Sequence, residues 1–166
     1  MEQLALITRR RDHVAIMRPS LGLLEKIVIG EKTIESRWYL QRSAPWDEIS
    51  AGDTIYFKNA GEPISIRADV AEIQQFDRLN SLKIRQILDE FGLRLGYSRS
   101  ELADYFSQIK DKKYCIIIFL QNILKVKLFD INKKGFGTMS AWLVVDNIDK
   151  IKKVKQPVFK QNKLLR

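Results

Sequence analysis

The order of apolar and polar residues along the chain predicts a series of short strands interrupted by helices. Residues 64–70 alternate between apolar and polar side chains at a period of two, which is typical of a strand with one buried face. Residues 115–120 are apolar at every position and indicate a central strand with two buried faces. Similar shorter patterns predict further strands over residues 13–18, 33–38, 54–58, 124–128 and 141–145.

Helical periodicity predicts three helices. After Pro19 breaks the first strand, Ser20 is placed to cap a helix over residues 21–29. A second helix is predicted over residues 82–91, where apolar residues recur on one face. The third begins at Ser98, whose spacing to Glu101 fits a capping box. Its predicted buried stripe consists of Leu102, Phe106 and Ile109.

These elements predict an α+β fold, a small mixed barrel of six or seven strands flanked by about three helices. A length of 166 residues suits one domain with a real core and is short for two. We therefore expect a single domain over residues 1–148 and a basic C-terminal tail over residues 149–166. The sequence contains no internal repeat and no low-complexity segment.

Composition points to a cytoplasmic protein that does not associate with membranes. Hydrophobic residues make up 45% and charged residues 30% of the chain, as in ordinary soluble globular proteins. The longest apolar run is far too short to cross a bilayer. At the N-terminus, basic residues follow a very short apolar patch, which is the reverse of a signal peptide. The single cysteine, Cys115, excludes an internal disulfide.

The net charge of +9 favours a nucleic-acid partner. Most of the excess lies in residues 150–166, which contain seven basic and no acidic residues. Without those seven, 22 basic residues face 20 acidic residues. The tail is therefore expected to contact phosphates, with a merely solvated tail as the alternative.

The candidate functional segment is residues 30–38, Gly-Glu-Lys-Thr-Ile-Glu-Ser-Arg-Trp. On a strand, Thr33, Glu35 and Arg37 share one face, and Lys32 at the preceding turn can reach it. Two cations around a carboxylate can hold a phosphate or ribose and orient the edge of a base. The alternative is an amphipathic strand whose polar face, with a weak ion pair, meets only water.

The spacing Gly-x-Lys-x-x-Glu-x-Arg, at Gly30, Lys32, Glu35 and Arg37, resembles the signature of the ASCH domains, which are relatives of the PUA-like RNA-binding barrels. The resemblance continues through a Gly-Asp turn before residues 54–58, two mid-chain helices and an apolar strand, and covers about residues 12 to 145. It implies a PUA-like barrel whose cleft is lined by the lysine, the glutamate and the arginine.

Other residues could extend this site. Trp46, in a loop beside a proline, could stack on a base, whereas Trp38 is expected in the core. Trp142 could lie either in the core or on the cleft wall. Lys58 and Asn59 end a strand and could contact a phosphate or a base, with an ordinary strand end as the alternative.

No metal or cofactor is predicted. His13 is the single histidine, so with one cysteine no zinc-binding pattern exists. The chain also contains no nucleophile elbow, and His13 is expected to be structural.

The leading functional hypothesis is a module that binds RNA, a nucleotide or a modified nucleoside. Its predicted ligand-binding residues are Lys32, Thr33, Glu35, Arg37, Trp46, Lys58, Asn59 and Trp142. The alternative is a metal-independent hydrolase that acts on RNA or on an acylated nucleoside such as acetylcytidine, with Lys32, Glu35 and Arg37 as catalytic residues. The resemblance implies a threonine where Glu35 stands, and a carboxylate that residues 92–97 lack, for the acylated-nucleoside reaction. A noncatalytic protein that binds another protein through the loop over residues 39–51 is the third hypothesis.

Overall fold

The computed structural model describes residues 9–154, which form a six-stranded sheet with three α-helices. Two short 3-10 helices cover Pro19–Leu21 and Ile148–Lys150. The strands and α-helices follow in the order β1 Asp12–Met17, α1 Leu23–Val28, β2 Ile34–Tyr39, β3 Thr54–Asn59, β4 Ile64–Phe76, α2 Ser81–Phe91, α3 Leu102–Ile109, β5 Tyr114–Phe129 and β6 Trp142–Val145.

The sheet is mixed, with the strand order β2-β5-β4-β3-β1-β6. Strands β1 and β3 pair in parallel, and all other neighbours are antiparallel. The sheet curls so that its two edges approach each other, since Arg37 on β2 reaches the carbonyl of Ala141 just before β6. This curled half-barrel confirms the predicted α+β fold. The seam between the edges is where the candidate site lies.

Three predicted strands differ from those in the structure, and the third helix begins at Leu102 instead of Ser98. The strands predicted over residues 115–120 and 124–128 are one strand, β5, which continues through Asn122 with φ 52° and through register shifts against β4. Strand β4 likewise runs six residues beyond its predicted end at Val70, because its far half pairs with the first half of β5. Irregular pairing removes the strict alternation of buried and exposed positions, and so hides this strand length in the sequence.

The first helix is shorter than predicted, and Ser20 does not cap it. Pro19 begins a 3-10 turn, as its fixed φ favours at a first helical position. Gly22, at φ 60°, then separates this turn from α1, which starts at Leu23. Glycine adopts this left-handed conformation at little energetic cost. The conformation ends the 3-10 turn, so α1 begins only after Gly22.

The hydrophobic residues form three buried clusters around the sheet. The first fills the concave side and includes Phe57, Ile55 and Ile116. The second lies between α2, α3 and strands β2 and β5. The third covers the opposite face of β1 and β6 and includes Ile148, with Ile151 packed against it. The second cluster fixes β2 relative to α3, and both elements line the candidate site.

The first residues of the predicted tail contact the domain. Lys152 pairs with Ile131 in an isolated bridge, and its Nζ lies 4.4 Å from the centroid of the Phe129 ring. Four basic residues of the predicted tail, Lys155, Lys160, Lys163 and Arg166, lie outside the described residues. Among residues 9–154, no helix has both the length and the hydropathy that a membrane span requires.

Candidate nucleotide-binding cleft

The carboxylate of Glu35 is buried between two cations. Its Oε2 lies 3.1 Å from Lys32 Nζ and its Oε1 lies 3.1 Å from Arg37 Nε. Glu35 and Arg37 share a face of β2, as the period-two alternation predicted, and Lys32 reaches them from the turn after α1. Only 5% of the Glu35 side chain is exposed, so both pairs act where water screens little.

Lys32 is held from three sides. Besides its ion pair with Glu35, its Nζ donates to the carbonyl oxygens of Ile34 at 2.7 Å and Leu95 at 3.1 Å. The Leu95 carbonyl comes this close because Gly96, at φ 96°, follows it, and a Cβ there would stand 3.3 Å from Lys32 Cβ. Burial lowers the pKa of Lys32, and the Glu35 carboxylate opposes that shift. Lys32 therefore anchors Glu35 from behind.

The ion pairs of Glu35 are close but poorly directed. Although the distances are those of ion pairs, neither Glu35 Oε2 nor Arg37 Nε makes a contact with hydrogen-bond angles among the described residues. A buried carboxylate that is neutralised but incompletely hydrogen-bonded retains acceptor capacity. Oε2 itself is closed off from solvent, and Glu35 borders the cleft only with the small part of its side chain that is exposed.

Arg37 bridges the seam of the half-barrel. Its Nη1 donates to the carbonyl of Ala141 at 3.4 Å, and its Nη2 lies 3.5 Å from Met17 Sδ at the end of β1. Its guanidinium carbon lies 4.9 Å from the centroid of the Trp142 ring, within the range of a cation–π contact. The Arg37 side chain is 14% exposed, and the open part of its guanidinium faces the cleft.

Aromatic side chains form the opposite wall. The rings of Tyr97 and Tyr105 stack with centroids 4.1 Å apart, and Trp38 meets Tyr105 edge-on at 6.5 Å. Trp38 Nε1 donates to Ser36 Oγ at 3.0 Å, which in turn lies 3.4 Å from the Tyr105 hydroxyl. Burial raises the pKa values of Tyr97 and Tyr105, so both hydroxyls keep their protons at neutral pH.

Together these groups line a cleft of about 670 Å³. Three basic side chains and one acidic side chain face it among the described lining residues, namely Arg18, Arg37, Lys112 and Glu35. Tyr39 also lines it and donates from its hydroxyl to the carbonyl of Ala44 at 2.6 Å. Burial raises the pKa of Tyr39 to about 12. A cleft of this size can hold a nucleotide-sized molecule.

The structure places six of the eight predicted ligand-binding residues outside the lining of this cleft, and two of them are Lys32, which lies behind Glu35, and Trp142, which lies behind Arg37. Thr33, just before β2, accepts a hydrogen bond from Arg94 Nε at 3.3 Å. Trp46 packs edge-on against Tyr114, with ring centroids 5.2 Å apart. Asn59 is buried and donates to Glu62 at 3.0 Å. Lys58 is half-buried, and burial and the nearby Lys133 lower its pKa.

Trp142 and His13 lie directly behind Arg37. Trp142 is 5% exposed and His13 is completely buried. Trp142 therefore belongs to the core and still touches the site, since one face of its ring carries the guanidinium of Arg37. The sequence left open whether this tryptophan lies in the core or at the wall of the cleft, and the structure places it in the core.

Trp38, which was expected in the core, is half-buried and lines the cleft. Tyr97, Tyr105, Arg18 and Lys112 were not predicted as site residues either. Tyr105 had a detectable signal, because it lies three residues after Leu102 and four before Ile109 and so shares their helix face. For Tyr97, in the loop before α3, the sequence contains no comparable pattern. In the described part of the chain, His, Cys, Asp and Glu side chains form no group of three or more that could hold a metal ion.

Comparison with known proteins connects the chain to one fold. No protein-family model matches the sequence, and no curated protein matches it significantly. Among solved structures, the ASCH protein of Zymomonas mobilis superimposes with a TM-score of 0.51 and 16% identity, over 72% of this chain and 73% of that chain. Two of its single-substitution variants give TM-scores of 0.53 at 17% identity. The predicted resemblance is thus confirmed for the fold, and the chain has an ASCH-like fold.

Proposed function

We propose that this cleft binds nucleotide units of single-stranded RNA. The observation that carries the proposal is the combination of stacking surfaces and positive charge around one buried carboxylate. Aromatic rings grip bases of any sequence, and arginine and lysine attract phosphate. A single-stranded nucleotide offers both a ring and a charge, so it matches both sides of the cleft.

Each wall would contact a different part of the ligand. A base would stack against the Trp38 and Tyr97 side, where the indole and phenol rings are half-buried. Arg37 would donate to a phosphate or a base edge with the N–H groups that Ala141 and Met17 leave free. Glu35 would accept a hydrogen bond from an exocyclic amino group, as carboxylates do with cytosine.

Basic residues away from the cleft would contact the phosphates of a longer strand. Lys58 lies close enough to Lys133 and Lys153 for their charges to lower its pKa further, after the larger effect of burial. We include the predicted tail over residues 149–166 in this nonspecific attraction. Binding that rests on such contacts weakens steeply as salt rises, because it releases counterions from the RNA.

A hydrolytic reaction at the same site is the second candidate, and the contact between Glu35 and Arg37 favours it. A carboxylate next to a guanidinium can act as a general base while the cation stabilises charge that develops on phosphate. Lys32 is a weaker candidate for chemistry, because its ammonium already pairs with Glu35 and donates to two backbone carbonyls. In either case Glu35 and Arg37 are the residues that would touch the ligand.

Titration of an end-labelled oligocytidylate with wild type and with Arg37→Ala tests the proposal. Loss of one charge-assisted contact should weaken binding by about tenfold or more at each salt concentration. Lys127→Ala is the matched control, since it removes one exposed positive charge on β5 outside the cleft. Equal affinities for the two variants would contradict the proposal.

Mass spectrometry of the same mixtures distinguishes a noncatalytic RNA-binding protein from a hydrolase. Intact oligocytidylate in the presence of wild type would indicate binding alone. Shortened products that disappear with Glu35→Gln would indicate a ribonuclease with Glu35 as the base. Products that persist with Glu35→Gln would exclude Glu35 from that role.

A further inference from the structure

A chain of contacts connects the cleft to a buried histidine and aspartate. Behind the guanidinium of Arg37 lies the Trp142 ring, 4.9 Å away, and Trp142 Nε1 donates to His13 Nδ1 at 3.1 Å. His13 Nε2 then lies 3.0 Å from Asp53 Oδ2. Except for Arg37, every member is at most 5% exposed. The chain joins β2, β6, β1 and the turn before β3.

The contacts of His13 assign it a neutral ring with one tautomer. An indole N–H can only donate, so His13 Nδ1 must accept and the proton must be on Nε2, where it is donated to Asp53. Burial lowers the pKa of His13, and the Asp53 carboxylate opposes that effect. Arg11 and Asp12 on the same segment act in opposite directions, and Arg37 stands beyond the indole.

Asp53 is itself held rigidly. Its Oδ1 accepts from the backbone N–H of Arg11 at 3.0 Å, and its Oδ2 accepts from that of Ser50 at 2.9 Å. These bonds fix the carboxylate between the start of β1 and the Gly52 turn. The carboxylate fixes the imidazole, and the imidazole fixes the plane of the indole. The orientation of the Trp142 ring, the platform beneath Arg37, is therefore set by His13 and Asp53, which do not line the cleft.

We propose that His13 and Asp53 are positioning residues for Arg37, which act through the Trp142 indole and keep the cleft competent only while His13 is neutral. The inference rests on the proposed function, because it assigns Arg37 the role of contacting the ligand. A protonated His13 would carry a second donor at Nδ1, directly opposite the indole N–H. Two facing donors cannot pair, so the indole would turn and Arg37 would lose its platform.

Two amide substitutions at position 13 test the proposal. In His13→Asn the side-chain oxygen can replace Nδ1 as the acceptor for Trp142, whereas in His13→Gln the amide N–H can replace Nε2 as the donor to Asp53. Arg37 Nε–H and Trp142 Nε1–H signals are followed by NMR without ligand between about pH 7.5 and about pH 5.5. Affinity for end-labelled oligocytidylate is measured over the same range, and circular dichroism confirms the fold.

In the wild type, both signals should shift together at one midpoint below pH 6.5, the usual pKa of histidine. Affinity should fall by about tenfold across that midpoint, a usual size for coupling between sites. His13→Asn should bind nearly as wild type does at neutral pH and lose the pH step. His13→Gln should bind about tenfold more weakly at every pH, since its indole lacks an acceptor.

An unchanged Arg37 signal in folded His13→Gln would overturn the inference, whatever the affinity. A wild type that does not bind oligocytidylate would instead contradict the proposed function. In that case the ligand-free signals would still decide whether His13 controls Arg37. The two failures are therefore distinguishable.

Discussion

Two buried polar clusters stand on either side of Trp142, and they are satisfied in different ways. Around Asp53, the three contacts at 2.9 to 3.0 Å come from two backbone N–H groups and one imidazole, and all are hydrogen bonds. Around Glu35, both cations lie at 3.1 Å, yet Oε2 has no well-directed hydrogen bond among the described residues. The first cluster is closed, and the second borders the cleft.

We attribute a structural role to the Asp53 cluster and a ligand-binding role to the Glu35 cluster. A closed cluster such as that of Asp53 stabilises one conformation and has no capacity for a ligand. The Glu35 cluster leaves Oε2 buried without a well-directed hydrogen bond, which costs stability, and it borders the cleft through the exposed part of the Arg37 guanidinium. Charge alone therefore does not mark the site. We base the proposal instead on incomplete hydrogen bonding next to a cleft.

The largest effect is expected from Glu35→Ala. Removing the carboxylate leaves the Lys32 ammonium buried without its counterion, which should lower the free energy of unfolding by about 3–5 kcal/mol. Urea denaturation measures this change. The control, Glu31→Ala, alters an exposed residue of the same turn and should stay within about 0.5 kcal/mol.

Replacing both Lys32 and Glu35 tests whether the unpaired ammonium causes the loss of stability. Lys32→Met combined with Glu35→Leu removes the buried ammonium together with its counterion, so it should recover the part of the Glu35→Ala loss that comes from the unpaired Lys32. The double variant should nevertheless fail to bind oligocytidylate. Full binding by that variant would show that the carboxylate serves only to neutralise Lys32.

Disrupting the hydrogen bonds of the Asp53 cluster should reduce stability less than Glu35→Ala does. Asp53→Asn replaces one of the acceptor oxygens with an amide N–H group, which faces either a backbone N–H or the imidazole N–H. One unsatisfied buried pair should lower the free energy of unfolding by about 1–3 kcal/mol. Asp111→Asn, at an exposed position, is the control. A loss for Asp53→Asn no larger than for the control would mean that this cluster is not closed.

The closed cluster should also make stability depend on pH. The pKa of His13 is lowered by folding, so the unfolded chain binds the proton more tightly than the native protein. The stabilisation is therefore complete above about pH 6.5 and is lost as pH falls below it, by at most about 1.4 kcal/mol per pH unit. Urea titrations of wild type and His13→Asn should differ in this slope. Parallel slopes would contradict the assignment of a neutral His13.

The smallest loss of stability is expected from Tyr105→Phe, a substitution in the wall of the cleft. Tyr105→Phe removes a hydroxyl whose contact with Ser36 Oγ is long, at 3.4 Å, and leaves the bond between Trp38 and Ser36 in place. The free energy of unfolding should fall by less than about 1 kcal/mol. Thermal unfolding of this variant beside Tyr97→Phe measures it. A loss as large as that of Asp53→Asn would assign the hydroxyl network a structural role.

Local patterns predicted what depends on neighbours in sequence. The alternation over residues 33–38 placed Glu35 and Arg37 on one face, and their side chains are 3.1 Å apart. The same patterns located every strand, although they divided β5 into two. The fold class followed from these elements and from the ASCH resemblance.

Local sequence patterns could not predict contacts between segments that are distant in sequence. Trp142 and His13 are 129 positions apart, and Ser36 and Tyr105 are 69 apart. His13 was expected to be structural because no second metal ligand accompanies it, yet its partners appear only after β1 and β6 pair. The depth of Lys32 likewise depends on the Leu95 carbonyl, which the loop before α3 brings to it.

The most direct test of the cleft as the RNA site follows the three indole N–H signals of the protein during a titration with oligocytidylate. Trp38 lines the cleft, Trp142 lies behind Arg37, and Trp46 packs against Tyr114 outside the lining. The account predicts the largest shift for Trp38, a smaller shift for Trp142 and none for Trp46. A shift confined to Trp46, or saturation of binding with no change at Trp38, would contradict it.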